Sequence, residues 1–267
     1  NEEAVKYLLE AFDDNDPNIE VTQRLVSLYL ESENISDAEY FNKILLKEFP
    51  DDPSGFINAS IISLNNSSPN KAIDYLRPNI DKFEKNYSAN YLLGTSYYQI
   101  DDLVNAEKYL LMALSIFPGS RVSKHTLAMI YDQNGSWIKS DSLYLELIST
   151  DSTDAQAYNN FAYSLVERND NLELALEMSI IANRIQPKSA PYLDTLGWIY
   201  FKLEQYDKAL EYIQASYSID NTNAVIVEHL ADILKATDQI SKANLIYMEA
   251  IDIGGDSLLI HQKMKIE

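Results

Sequence analysis

Three histidines, His125, His229 and His261, are the only imidazoles in a chain of 267 residues that contains no cysteine. Metal binding or nucleophilic catalysis needs several such groups at ligand or relay spacing, and these three share none. Without thiols there is no disulfide framework, thiolate ligand or cysteine nucleophile. Adjacent carboxylates recur at Asp13-Asp14, Asp51-Asp52 and Asp101-Asp102. A general acid–base pair has to converge in a cleft, whereas these pairs stand where turns are expected, and there aspartate caps helices. Gly254-Gly255 is followed by no phosphate-loop pattern and reads as the end of a helix. Neither catalytic residues nor a metal or cofactor are expected.

The charge narrows the partners further. Against 41 acidic residues stand 21 Lys and Arg, for a formal net charge of −20. Phosphate backbones need clustered basic groups, so nucleic acid is excluded, and anionic membrane surfaces are disfavoured on the same ground. No apolar run approaches the roughly 18 residues of a membrane helix, so no direct membrane insertion is expected. A hydrophobic content of 46% suffices for a continuous core, while 7 Gly and 8 Pro are sparse punctuation that favours helices.

What positions these residues is a repeat. Ala38, Ala72, Ala106, Ser140, Ala175, Ala209 and Ala243 form a column in which each step is 34 residues except one of 35, the extra residue falling within 167–171. A second, small column runs ahead of it: Val26, Ser60, Gly94, Ala128, Ala162, Gly197 and Ala231. Three residues beyond that come Tyr29, Ser63, Tyr97, Tyr131, Leu165, Tyr200 and Leu234, and Pro50, Pro118 and Pro187 recur near unit ends. A unit of this length holds two helices of about 13 residues and two short turns. Small residues let the two backbones approach, apolar and Tyr columns fill the gaps, and Pro or Gly stops the second helix. One hairpin cannot bury its apolar face alone, so each stacks on the next.

The stretch from Ala190 to Leu210, with Leu196, Gly197, Tyr200, Tyr206 and Ala209 on signature columns, closely resembles the tetratricopeptide repeat. The resemblance implies an all-α, right-handed superhelical solenoid of tandem helix-turn-helix repeats. It covers the second helix of a truncated repeat at 1–18, then units at 19–52, 53–86, 87–120, 121–154, 155–189, 190–223 and 224–257, with a capping segment at 258–267. Two units depart from the pattern: Ser63 replaces the Tyr of its column and Pro78 should kink a helix after Leu76, while Ser140 and a Trp137 placed in the inter-helix turn mark the other.

The resemblance also implies that the first helix of each unit lines a concave wall. Candidate partner-binding residues there are Tyr91, Tyr98, His125, Met129, Asn159, Tyr163, Asp194, Trp198 and Phe201. Aromatic and Met side chains bring large contact area at small entropic cost. An amide such as that of Asn159 or Asn160 offers both donor and acceptor to a peptide backbone. Family members that grip a C-terminal carboxylate use Lys, Arg and Asn on adjacent first helices, where this chain has Gln23, Ser27 and Ile57. Asp194, Glu228 and Asp232 would instead favour a neutral or basic segment.

The function expected is a scaffold or adaptor that binds a protein or extended peptide, without enzymatic activity. Asn159–Leu165 and Tyr192–Trp198 resemble tetratricopeptide proteins of Gram-negative bacteria, many of them envelope lipoproteins that assist outer-membrane or cell-wall assembly. That likeness points to the periplasm and cell envelope, with a cytoplasmic scaffold as the alternative. The half unit at 1–18 suggests a longer parent, in which the array would be the regulatory or substrate-recruiting region of an enzyme or secretion component.

Overall fold

The computed structural model of the chain describes residues 2–265. These residues form sixteen α-helices and no strand. The first compact unit, Asn1–Ser136, opens with α1 (Glu2–Ala11). Three hairpins follow: α2 (Ile19–Glu31) with α3 (Ile35–Glu48), α4 (Ser54–Asn65) with α5 (Pro69–Leu76), and α6 (Tyr87–Gln99) with α7 (Leu103–Ile116), before α8 (Arg121–Gln133). The second unit, Trp137–Glu267, opens with α9 (Trp137–Thr150). Its hairpins are α10 (Ala155–Glu167) with α11 (Leu172–Ile185), α12 (Ala190–Lys202) with α13 (Tyr206–Ile219), and α14 (Ala224–Ala236) with α15 (Ile240–Asp252), followed by α16 (Ser257–Lys265).

The alanine column explains how closely the paired helices pack: Ala38, Ala72, Ala106, Ser140, Ala175, Ala209 and Ala243 are each 0% exposed. Across the hairpin from Ala209, a Cβ placed on Gly197 would lie 3.0 Å from Ile213 N and 3.2 Å from Ala209 O. Those are backbone atoms, so only hydrogen fits at that position.

Every first helix of the array ends in the same way. The N–H groups of Asn34, Ser68, Asp102, Ser136, Asp170, Gln205 and Gln239 donate to the carbonyls of Tyr29, Ser63, Tyr97, Tyr131, Leu165, Tyr200 and Leu234 at 2.7–3.0 Å. The residue before each donor is left-handed: Glu33, Ser67, Asp101, Gly135, Asn169, Glu204 and Asp238 have φ between 51° and 74°. This is the six-to-one closure of a Schellman turn. The Tyr column therefore carries both a packing ring and the carbonyl that stops the helix. The extra residue in 167–171 is absorbed by a second left-handed residue, Asn171 at φ 41°, since Asn tolerates that region.

Among the carboxylates at the turns, Asp102 caps a helix while Asp52 and Asp13 brace the turn backbone. Asp102 accepts Asn105 N–H at 3.1 Å, Asp52 accepts Ser54 N–H at 2.9 Å and Asp13 accepts Asn15 N–H at 2.9 Å. Pro78 does more than kink its helix: α5 stops at Leu76 and the chain passes into a 3₁₀ turn at Arg77–Asn79. The lost N–H and the ring's clash with the preceding turn account for this. Trp137 does not sit in an inter-helix turn but begins α9, with the Arg168 guanidinium 5.5 Å above its ring. Arg168 is fixed there by a two-pronged pair with Asp141 at 2.9 and 2.8 Å.

In the second unit, α16 closes the core. Ile260 is 0% exposed and belongs to one apolar cluster with Leu230, Leu234, Tyr247 and Ala250. Residues 266 and 267 of the expected capping segment lie outside the described residues. No described helix is long and apolar enough to cross a membrane.

Candidate functional site

The first helices α10, α12 and α14 bring together a compact aromatic and charged group. Trp198, on α12, is stacked face to face with His229 of α14 at a 4.0 Å centroid distance and 10° between planes. It also stacks on Phe201 at 4.9 Å, and the Lys202 ammonium lies 4.6 Å from its centroid. Its indole N–H donates to Glu167 Oε1 of α10 at 2.9 Å. His229 Nδ1 meets both oxygens of Asp194, at 2.9 and 3.1 Å, with both side chains buried. Beside them Tyr163 is 38% exposed. Partial burial, together with the negative charges of Glu167 and Asp194, pushes its phenol up to about 12.

This geometry revises the sequence-based expectations for several residues. Trp198 is 8% exposed, Asn159 and His125 are 6%, and Asp194 is 5%. Trp198 is covered because a neighbouring first helix supplies a ring to stack on. Asn159 is too buried for its amide to clasp a peptide backbone. Asp194 is spent on His229 rather than offered to a ligand. Phe201 is half-buried, and Tyr163 alone among the second unit's candidates opens widely to solvent. In the first unit, Tyr91 is half-buried and stacked on Tyr87 at 5.8 Å. Tyr98 is half-buried too, its phenol raised first by burial and then by Asp132 and Asp101. Met129 is half-buried on α8.

Glu228 and Asp232, expected to favour a neutral or basic segment, are paired within the chain. Lys263 of α16 bonds both, at 2.6 Å each, and Tyr247 donates to Asp232. Burial works against the Lys263 ammonium, yet the two carboxylates outweigh it and hold its pKa above the ordinary lysine value. The basic segment that these acids favour is the chain's own last helix.

Sequence reasoning missed Glu167, His229 and Lys263 as partners. A usable signal was the repeat period itself. Contacts between neighbouring units recur 31 or 35 residues apart, as in Glu167–Trp198 (31), Asp194–His229 (35), Asp232–Lys263 (31) and Glu228–Lys263 (35). The two offsets differ by one helical turn, so they reach the same face of the next unit.

Comparison with known proteins gives a consistent result. The tetratricopeptide repeat family model matches residues 61–252. No curated protein matches. Among solved structures, a tetratricopeptide repeat protein from Parabacteroides merdae superposes with a TM-score of 0.76 over 98% of both chains at 14% identity. The anaphase-promoting-complex assembly Cut9–Hcn1 gives 0.78, covering 93% of this chain and 49% of the other at 16% identity. YrrB, a tetratricopeptide protein described as having an unusual peptide-binding site, gives 0.54 over 70% and 95% at 16% identity. Identities this low speak for the fold. With in-phase columns, Schellman-closed helices and a family match across most of its length, the chain belongs to the tetratricopeptide repeat family.

Proposed function

We propose that this chain is a non-enzymatic interaction scaffold that docks a protein or extended peptide on the first-helix patch around Tyr163, within a bacterial envelope assembly. The observation that carries the reading is Tyr163 itself: 38% exposed, it feels the charges of Glu167 and Asp194, and those two are held by Trp198 and His229. An aromatic side chain with few rotatable bonds loses little entropy on contact, which is the property of a binding anchor. Glu167, exposed beside it, supplies a negative edge that favours a basic or neutral segment. The family and the likeness to a protein with a peptide-binding site support a peptide-like partner. The envelope setting rests on the resemblance of the 159–165 and 192–198 stretches to envelope proteins.

Affinity capture tests this by comparing the wild type with Tyr163→Ala combined with Glu167→Gln, which keeps an acceptor for the Trp198 N–H. Loss of the captured partner is expected with folding unchanged. An unaltered partner set would dismiss the patch. Cell fractionation tests the setting, and recovery solely with cytosolic proteins would exclude the envelope.

A further inference from the structure

Ser63 stands in the column where sister hairpins carry Tyr29, Tyr97 and Tyr200. In those hairpins the ring lies parallel to an aromatic twelve residues on: Tyr29 on Phe41 at 5.7 Å, Tyr97 on Tyr109 at 5.6 Å and Tyr200 on Tyr212 at 5.5 Å. The covered rings of Phe41 and Tyr109 are only 5% and 2% exposed. Twelve residues beyond Ser63 is Tyr75, which has no ring above it and is 39% exposed. The Ser63 hydroxyl turns back to donate to Ala59 O at 2.7 Å. Where the ring would be there is a cleft of about 180 Å³ between α3, α4 and α5, with Glu39, Asn42, Ile62, Ser63, Lys71 and Tyr75 in its walls. A cavity of roughly 150 Å³ is enough to hold benzene, so a single six-membered ring fits.

One member of the column shows where the ring's hydroxyl could go. Tyr131, in the same column, donates to Glu107 Oε1 at 3.0 Å, 24 residues upstream. The residue 24 before Ser63 is Glu39, exposed and in the cleft wall. A further polar group in that wall is unspent. Asn42 is 3% exposed, its Nδ2 donates to Gly55 O at 2.9 Å, and its Oδ1 has no hydrogen-bond partner.

We propose that this cleft is a phenol site, which receives the side chain of a tyrosine from a binding partner, its ring stacked on Tyr75 and its hydroxyl donating to Glu39. The partner would supply the side chain that the second hairpin lacks, combining the stacking of Tyr29, Tyr97 and Tyr200 with the hydroxyl contact that Tyr131 makes. The site shares no residue with the Tyr163 patch and does not rest on that reading.

The test titrates N-acetyl-tyrosine amide, N-acetyl-phenylalanine amide and p-cresol into the full ¹⁵N-labelled chain, following the amide signals of Ser63, Lys71 and Tyr75. Saturable shifts with the tyrosine amide and p-cresol are expected. The phenylalanine amide should bind about tenfold more weakly, because it lacks the hydroxyl donor to a charged acceptor. Ser63→Tyr should fill the cleft from within, abolish binding and raise the melting temperature, which shows that the variant is folded. Glu39→Gln should weaken the tyrosine amide and leave the phenylalanine amide unchanged. The proposal is overturned if neither phenol gives a saturable shift, if tyrosine and phenylalanine amides bind alike, or if Ser63→Tyr still binds. Binding of p-cresol without the tyrosine amide would overturn the assignment to a partner's side chain in favour of a free phenol.

Discussion

Replacing His229 by alanine probes whether the buried pair beneath Tyr163 is a real support. Its Nδ1 lies 2.9 and 3.1 Å from the two oxygens of Asp194, with side chains 9% and 7% accessible. Truncation leaves a carboxylate that water reaches poorly, and removing one member of a buried pair costs about 3–5 kcal/mol. The face-to-face contact with Trp198 at 4.0 Å adds about 0.5–1.5 kcal/mol. Asp194→Ala alone removes both the charge and its need for a partner, and should cost about 1–3 kcal/mol. Once the carboxylate has gone, His229→Ala should cost only the stacking contribution of about 0.5–1.5 kcal/mol. A double-mutant cycle should therefore show coupling of at least about 1.5 kcal/mol. Urea denaturation followed by tryptophan fluorescence in a Trp137→Phe background reads this locally, because Trp198 belongs to the same cluster. A loss below about 1 kcal/mol for His229→Ala, or additive single effects, would refute the reasoning.

Three further outcomes follow from the repeat geometry. Gly197→Ala should destabilise by about 1–3 kcal/mol, because the new Cβ meets backbone atoms 3.0 and 3.2 Å away; chemical denaturation checks it. Glu204→Gly should stabilise by about 0.5–1 kcal/mol, since Glu204 is held at φ 60°, and a higher denaturation midpoint is the sign. Burial, then the hydrogen bond to Glu107 and that carboxylate's charge, raises Tyr131 from 10.0 to about 12. Between about pH 10 and 12 the unfolded chain loses a proton that the folded chain keeps, so this stabilisation is complete below pH 10 and gone above 12. Ultraviolet titration should show the number of late-ionising phenols, which include Tyr163 and Tyr247, fall by one in Tyr131→Phe.

The repeat period, the helical hairpins and their closest contacts were legible in the sequence, because each rests on a local requirement. Small residues recur where helices touch, so the spacing of the alanine column and of Gly197 is enough to mark them as packing positions. Pro78 announced an interruption, though only the backbone showed that the helix ends there and continues as a 3₁₀ turn. The left-handed closures were far less legible. Glu33, Glu204 and Asp238 occupy a conformation that glycine usually marks, held by the carbonyl of the Tyr column rather than by their own preference. Which first-helix residues face solvent was not legible at all. A first helix borders both its own hairpin and the next unit, so an aromatic on it can be a ligand anchor or a stacking partner with the same spacing. Tyr163 and Trp198 differ in nothing that the period records. Only the tertiary structure, by setting His229 against one and leaving the other open, separated them. The same holds for charge: Asp194, Glu228 and Asp232 read as acids that favour a neutral or basic segment, and the fold paired all three with His229 and Lys263 from elsewhere in the chain. Sequence determined the unit and its repetition, because these depend on near neighbours. The fold decided exposure and pairing, because these depend on which helix the next unit lays alongside.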